Sequence, residues 1–389
     1  MPVDGPAVQG GKRMDSKLDV VVAGVTCIDL APKFQNDPET SIAELFRPSS
    51  TLFVGKMTTT PGGAVSNTGL ALCRFGMRTR LMGRVGQDDL GNLLLRKFEP
   101  WTDTSSFERS EEEGTSYSLV IAPIGIDRFF IHDPAVNDTF TTQALDFDEI
   151  EKARLFHFGY LPVMRAMCQN TGEEAVRMYR RIHELGVTTS MDLCMPDVSQ
   201  NYPDGYWMNI LRRVLPYVDL FEPSVEELCY MIDAKRFRDL KKAGEKEGVV
   251  GSIGWDEIEA YADQMLGMGA GAVLVKCGTK GMFLKAGTKD RLKESGTALH
   301  DILEKWSGAR VVQRCFVPDS FVNSNGAGDV SIAAFLASVL RHMSAKESVR
   351  NAAAAGAECC EGADPICALT DFEELMDRIH GGWKLEEER

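Results

Sequence analysis

Near the C-terminal end the chain reads Asn323-Ser324-Asn325-Gly326-Ala327-Gly328-Asp329, and a helix-patterned stretch follows at once. Two glycines around an alanine leave the backbone bare, so its N–H groups can face an anion, and the start of the next helix adds its positive end at the same place. A carboxylate beside a bound phosphate is electrostatically costly, so Asp329 needs a reason to be there. Proton abstraction from a nucleophile that attacks the phosphate supplies one.

A second bare stretch lies early, at Pro61-Gly62-Gly63-Ala64-Val65-Ser66-Asn67. A Gly-Gly step lets a ligand approach the backbone closely, and the Asn67 amide offers both a donor and an acceptor suited to hydroxyl groups. Taken alone, the same residues also read as a turn that caps the next helix. Of the six histidines, the dispersed placement reads as surface or core use, with His132 singled out by its position in a possible lid. Arg128, close by, reads either as a contact for an acidic or phosphorylated substrate or as a solvated side chain. Glu111–Glu113 reads as a solvated charge run. No GxxxxGK[ST] loop occurs, which excludes a P-loop nucleotide site.

These residues need a scaffold that brings distant parts of the chain together. Short apolar runs at Asp19–Gly24, Thr79–Met82, Leu155–Phe158, Thr188–Asp192, Val218–Phe221 and Ala272–Val275 read as strands buried on both faces, as in a parallel sheet covered by helices. Helical patterns lie between them, for example at Thr171–Glu184 and Asp256–Met268. This alternation predicts an α/β layered fold. After the Gly326–Asp329 turn, Ile332, Phe335, Leu336, Val339 and Leu340 trace one apolar helix face. Phe372, Leu375, Met376 and Ile379 repeat it, with Asp371 at the helix start. Residues 33–61, with a strand-like run at Thr51–Met57, and residues 115–133, two strands joined at Gly125–Asp127, break the alternation and suit a small projecting sheet. Residues 234–256 and 285–312 are charged, weakly periodic and read as surface insertions.

A chain of 389 residues with 44% apolar and 26% charged residues buries a substantial core. Its formal net charge of -14 argues against nucleic acid and anionic membrane as partners. No apolar run approaches the roughly 20 residues of a spanning helix. The ten cysteines lack regular spacing and show neither a CxxC pair nor a zinc pattern, so they read as free thiols in a reducing, cytoplasmic setting. Residues 1–13 lack an apolar signal segment and read as a disordered extension ahead of a domain starting at Met14.

Together the two glycine motifs resemble the signatures of the PfkB (ribokinase-like) carbohydrate kinases: Gly62-Gly63-Ala64-Val65-Ser66-Asn67 the N-terminal one, Asn325-Gly326-Ala327-Gly328-Asp329 the core of the C-terminal one. Four further segments follow in the right order: Gly24–Asp29, Gly83–Asp88 with Gly91, Pro223–Glu227, and Lys276-Cys277-Gly278 with Gly281. The resemblance spans about Leu18 to Phe372. It implies a ribokinase-like three-layer α/β/α sandwich, with a mostly parallel central sheet and a small β lid drawn from about 33–61 and 115–133, all within one kinase domain (14–389). It also implies ATP-dependent phosphorylation of a hydroxyl on a sugar or sugar-like molecule. Asp329 would be the base, and the N–H groups of Gly326, Ala327 and Gly328 the anion hole. Asp29, Gly62, Gly63, Asn67 and Arg128 would meet the acceptor. Lys276, Gly278, Gly281 and Ser224 would lie on the nucleotide side, with Glu227 linked to Mg2+. Lids in this family often pair between subunits, which implies a homodimer.

Several positions depart from the family pattern. Asn323 stands where Asp usually opens the second signature, near the family's monovalent-cation site, so K+ activation does not carry over with the rest. Ser224 replaces Asn, Lys276 replaces Thr, and Cys27 and Cys194 stand where Asn is frequent, which points away from ribose. A fructose- or deoxygluconate-type acceptor is compatible with Arg128. A nucleoside kinase and a catalytically degenerate binding protein are the alternatives.

Overall fold

The computed structural model describes residues 18–126, 128–244 and 247–387. The expected N-terminal extension and Asp127 of the expected turn lie outside the described residues. Thirteen strands run in chain order: β1 (Leu18–Gly24), β2 (Cys27–Pro32), β3 (Met57–Gly62), β4 (Thr79–Gly86), β5 (Phe107–Ser110), β6 (Tyr117–Ile121), β7 (Phe129–Asp133), β8 (Ala153–Gly159), β9 (Thr188–Met191), β10 (Leu220–Phe221), β11 (Ala272–Lys276), β12 (Met282–Ala286) and β13 (Arg310–Gln313).

They form two sheets. The large one has the order β13-β12-β11-β10-β9-β8-β1-β4-β5. It is parallel from β5 through β11, and β12 and β13 add an antiparallel edge. Alternation along β1 assigns its side chains to opposite layers. Val21 and Ala23 enter the core with the helices Arg165–Glu184, Tyr206–Val214 and Trp255–Gly267. Val20 and Val22 enter the core with Ala64–Arg74, Ala327–Leu340 and Ala345–Cys359. That is the expected three-layer sandwich around a mostly parallel sheet.

The small sheet has the order β3-β2-β6-β7. Its boundaries differ from the expectation. The central strand β2 comes from Cys27–Pro32, directly after β1, where the sequence read as a strand-to-loop element. Thr51–Lys56 is not a strand, and the region before it holds a short helix at Ile42–Leu45. The edge strand β7 exposes Phe129, Phe130 and Ile131.

Three other expectations are corrected by packing. The helix Ala327–Leu340 is not amphipathic: every residue from Asp329 to Leu340 is buried, because the helix is sandwiched between Ala64–Arg74 and Ala345–Cys359. Residues 285–312 are no surface insertion: they include β13, and Leu292, Ala298, Leu299, Ile302 and Trp306 enter the core. Residues 234–256 are likewise anchored, through Phe237, Leu240, Val249 and Ile253. The helix expected over Thr171–Glu184 is present: it runs to Glu184 after a break in the helical dihedrals at Gln169–Gly172, and a shorter helical segment from Arg165 precedes it. The C-terminal helix agrees with expectation: Asp371 caps Phe372–His380 by accepting the Glu373 and Glu374 amides.

Candidate active site

The polar side chains of interest sit where the parallel strands end. Tyr160 follows β8, Asp192 follows β9, Ser224 lies just beyond β10, and Lys276 closes β11. Residues just past the carboxyl ends of parallel strands escape the ladder and face a common crevice. The Gly326–Asp329 turn meets them from above, with Gly326 as the left-handed N-cap (φ 73°) of the helix Ala327–Leu340.

Asp329 is only 4% exposed. Its Oδ2 accepts from Asn67 Nδ2 at 2.9 Å and from the Tyr160 hydroxyl at 2.8 Å. Its Oδ1 is buried and has no hydrogen-bond partner among the described residues. Burial pushes the Asp329 carboxyl above its ordinary range, against the pull of the Lys276 ammonium, Asn67 and Tyr160. One oxygen is thus fixed by two donors while the other is buried without a hydrogen-bond partner among the described residues. A buried acceptor without a partner is costly in a folded protein and calls for a functional reason.

Lys276 lies at the floor of the turn. Its aliphatic end and ammonium come within 3.7–3.8 Å of where a Cβ on Gly328 would be. The ammonium pairs with Asp192 at 2.5 Å, the two side chains being 11% and 1% exposed. Burial works against the Lys276 charge, but the carboxylates of Asp192, Glu227 and Asp329 outweigh it and hold the ammonium above its ordinary pKa. Burial raises the Asp192 carboxyl, with Lys276 opposing. Lys276, expected on the nucleotide side, and Asp329 of the anion turn are therefore in one electrostatic cluster with Asp192 and Glu227.

Tyr160 was not anticipated. It holds a left-handed backbone conformation (φ 69°, ψ 34°) between β8 and the turn at Leu161–Val163. That conformation is sparsely populated for a side chain with a Cβ and concentrates at functional sites. The signal available in the sequence was its place right after a buried parallel strand. Asp192 carried the same signal but was read only as a strand end.

Asp29 stands in the small sheet. The register aligns Thr60, Asp29, Ser118 and His132 as one rung across its four strands, so their side chains share a face. His132 Nδ1 and Ser118 Oγ are 3.0 Å apart, and the Cys27 thiol donates toward Asp29 at 3.7 Å. Burial raises the Asp29 carboxyl, while Ser118, Cys27, His132 and Arg128 draw it down. Gly62 is glycine for a local reason: a Cβ there would lie 2.7 Å from an Asp29 carboxylate oxygen. Gly63 starts the helix Ala64–Arg74 and carries Asn67, whose amide N–H reaches the Gly63 carbonyl at 3.0 Å. Arg128 reaches from the small sheet to Asn323 Oδ1 at 3.4 Å. Asp29, His132 and Arg128 thus gather on the lid side, and Asn67 links that side to Asp329.

Some predicted residues also have structural work. Ser224 and Glu227 form a capping box on the helix Val225–Ile232: Glu227 Oε2 accepts the Ser224 amide at 2.7 Å, and Ser224 Oγ accepts the Glu227 amide at 3.2 Å. The glycine at 281 is required by the hairpin, since a Cβ there would lie 2.0 Å from the Gln313 carbonyl oxygen. Gly278 opens that same turn. The segment Gly86–Gly91 ties the body to the small sheet, with Asp88 accepting the amides of Gly91 and Thr115, each at 2.7 Å.

The profile of the pfkB family carbohydrate kinase matches residues 17–369. A sugar kinase of Archaeoglobus fulgidus is 23% identical over 292 residues, covering 75% of this chain and 95% of that one. The 2-dehydro-3-deoxygluconokinase of Bacillus subtilis is 26% identical over 324 residues, covering 80% and 84%. The structure of Arabidopsis thaliana ribokinase complexed with ribose and ATP superposes with a TM-score of 0.68 at 17% identity, over 93% of this chain and 98% of that one.

Proposed function

The chain belongs to the pfkB family of carbohydrate kinases, and from that premise we propose how its own residues carry out ATP-dependent phosphorylation of a sugar-like alcohol. The carrying observation is the divided Asp329 carboxylate, with one oxygen held by Asn67 and Tyr160 and the other buried and unclaimed. Asp329 Oδ1 takes the proton of the acceptor hydroxyl while that oxygen bonds to the γ-phosphorus of ATP and the bond from phosphorus to the ADP oxygen breaks. The N–H groups of Gly326, Ala327 and Gly328 hold the charge on the transferred group. The Ala327 N–H currently donates to Ser324 O at 3.3 Å, a long bond that a charged phosphoryl oxygen outcompetes. Lys276 adds a fixed positive charge beneath Gly328 and draws the Asp329 carboxyl back toward its ionised form, against the effect of burial.

Asp29 and Asn67 orient the acceptor hydroxyls, with Gly62 and Gly63 leaving room beside them, and the small sheet acts as lid to one kinase unit. Arg128 meets an acidic group on the acceptor; its reach from the lid toward the turn supports this, as does the likeness to a kinase of a sugar acid. Glu227 and Asp192 suit Mg2+ held through one or two carboxylates, water and nucleotide phosphates. No group of three such side chains among the described residues could hold a metal alone. When bound, the ion offsets charge on the phosphate oxygens.

Replacing Asp329 by Asn removes the base and keeps the shape. Turnover should fall by about three orders of magnitude or more, with ATP affinity by calorimetry largely kept. Turnover within tenfold of the parent would refute Asp329 as the base.

A further inference from the structure

The residue just ahead of the anion turn carries more connections than its neighbours. Asn323 Nδ2 donates to Gly362 O at 2.8 Å and toward Ala363 O at 3.4 Å. Its Oδ1 accepts the Asn325 amide at 2.8 Å and the Arg128 guanidinium at 3.4 Å. The amide orientation follows from this pattern alone. A flipped side chain would set NH2 against the Asn325 N–H and its oxygen against two carbonyls. Asn323 therefore fastens three pieces together: the phosphate turn, the Gly362–Pro365 loop and the lid arginine. That loop directly supports the turn, since a Cβ on Gly326 would lie 2.5 Å from the Pro365 ring.

Two carbonyl oxygens that converge behind an anion turn need a positive partner. A monovalent cation is one solution and requires a lone pair from every neighbour, position 323 included. Here the neighbour offers N–H instead, so the donor set does not fit a cation. We propose that the Asn323 amide takes the cation's place, so that the phosphate turn is held by a neutral strut and works without a monovalent ion. An aspartate at this position would face Gly362 O across the same 2.8 Å gap, lone pair against lone pair. Only a bound cation or a proton would relieve that contact.

This inference rests on the turn being the phosphoryl site, but one readout does not need turnover. The full-length protein is moved into tetramethylammonium chloride, and KCl replaces it at constant ionic strength. The parent should keep its melting temperature, and its kcat/KM should change less than about twofold, since no differential binding drives a change. Asn323→Asp should melt lower in tetramethylammonium and lose activity by about tenfold or more. Both should return with KCl along a saturating curve, as ligand binding to the native state requires. A saturating rise of the parent's melting temperature or activity with K+ would overturn the proposal. So would an Asn323→Asp protein indifferent to K+. If that variant does not fold without K+ but folds with it, the proposal stands. If it folds in neither, the parent titration decides. Loss of turnover in the parent under all ions, with the melting behaviour as expected, would instead count against the kinase mechanism.

Discussion

Lys276→Met tests the electrostatic floor of the site most directly. The change keeps most of the side chain's volume and removes its charge beside Asp192, which is 1% exposed. Breaking a buried pair by removing one partner leaves an uncompensated charge and costs about 3–5 kcal/mol. Asp192 can escape by taking up a proton, and that fixes the pH dependence. Its carboxyl is already raised by burial and held down by Lys276, so the variant raises it further. A carboxyl whose folded pKa lies above its unfolded value contributes stability at low pH and loses it as pH rises through the folded value. Because that value is already about 8 with Lys276 in place, the penalty should be small from pH 5 to neutrality and grow only as the pH rises through about 8 and beyond. Urea unfolding followed by fluorescence at about pH 5.5 and about pH 8.5 gives both numbers. Adding Asp192→Asn should recover most of the loss at the higher pH, since the cycle then removes both charges. A penalty under about 1 kcal/mol at both pH values, with no rescue, would refute the buried-pair reading.

Tyr160→Phe deletes a donor that favours ionised Asp329, so the acid limb of the kcat/KM–pH profile should move to higher pH by about one unit. A limb that stays in place would detach Tyr160 from the base. Asp29→Ala and His132→Ala should raise the acceptor KM far more than that of ATP, with Asp29 the larger effect; equal rises for both substrates would remove the rung from the acceptor site. Across a panel of sugars and sugar acids, Arg128→Ala should weaken acidic acceptors by about tenfold, the order of one charge-assisted contact, and leave neutral ones unchanged; uniform weakening would show a structural role instead.

Much of this site was legible because its chemistry is local. The Gly326–Asp329 turn carries its glycines, its carboxylate and its helix within a few residues, so spacing alone raised the expectation of an anion site with a base. Strands buried on both faces announced themselves as apolar runs, and the layered fold followed. What the sequence hid was set by distance. β2 is short, contains Asp29 and ends at a proline, and it becomes a strand only by pairing with β3 and β6, more than 20 residues away. The helix after Asp329 showed one apolar face because its other face is lined by alanine and serine, which bury well against close neighbours but carry little hydrophobic signal. Tyr160 passed unnoticed and Asp192 looked like a strand end because nothing local says that the strands before them are neighbours in the sheet.

The same long-range view explains why Lys276 stands where a threonine is usual. Asp192, Glu227 and Asp329 surround its ammonium, so with all three ionised the cluster carries two more negative charges than positive. Bringing a polyphosphate to Gly328 adds to that excess in a poorly solvated place, where each charge weighs more than in water. A threonine there would leave the three carboxylates facing a bound phosphate with no fixed positive charge among them. Lys276 offsets one charge from below the turn, so that on the proposed reading the N–H groups above stay free for the transferred group. Asn323 then has to fasten the turn without adding another carboxylate to the excess, and a neutral amide meets that requirement where an aspartate would not.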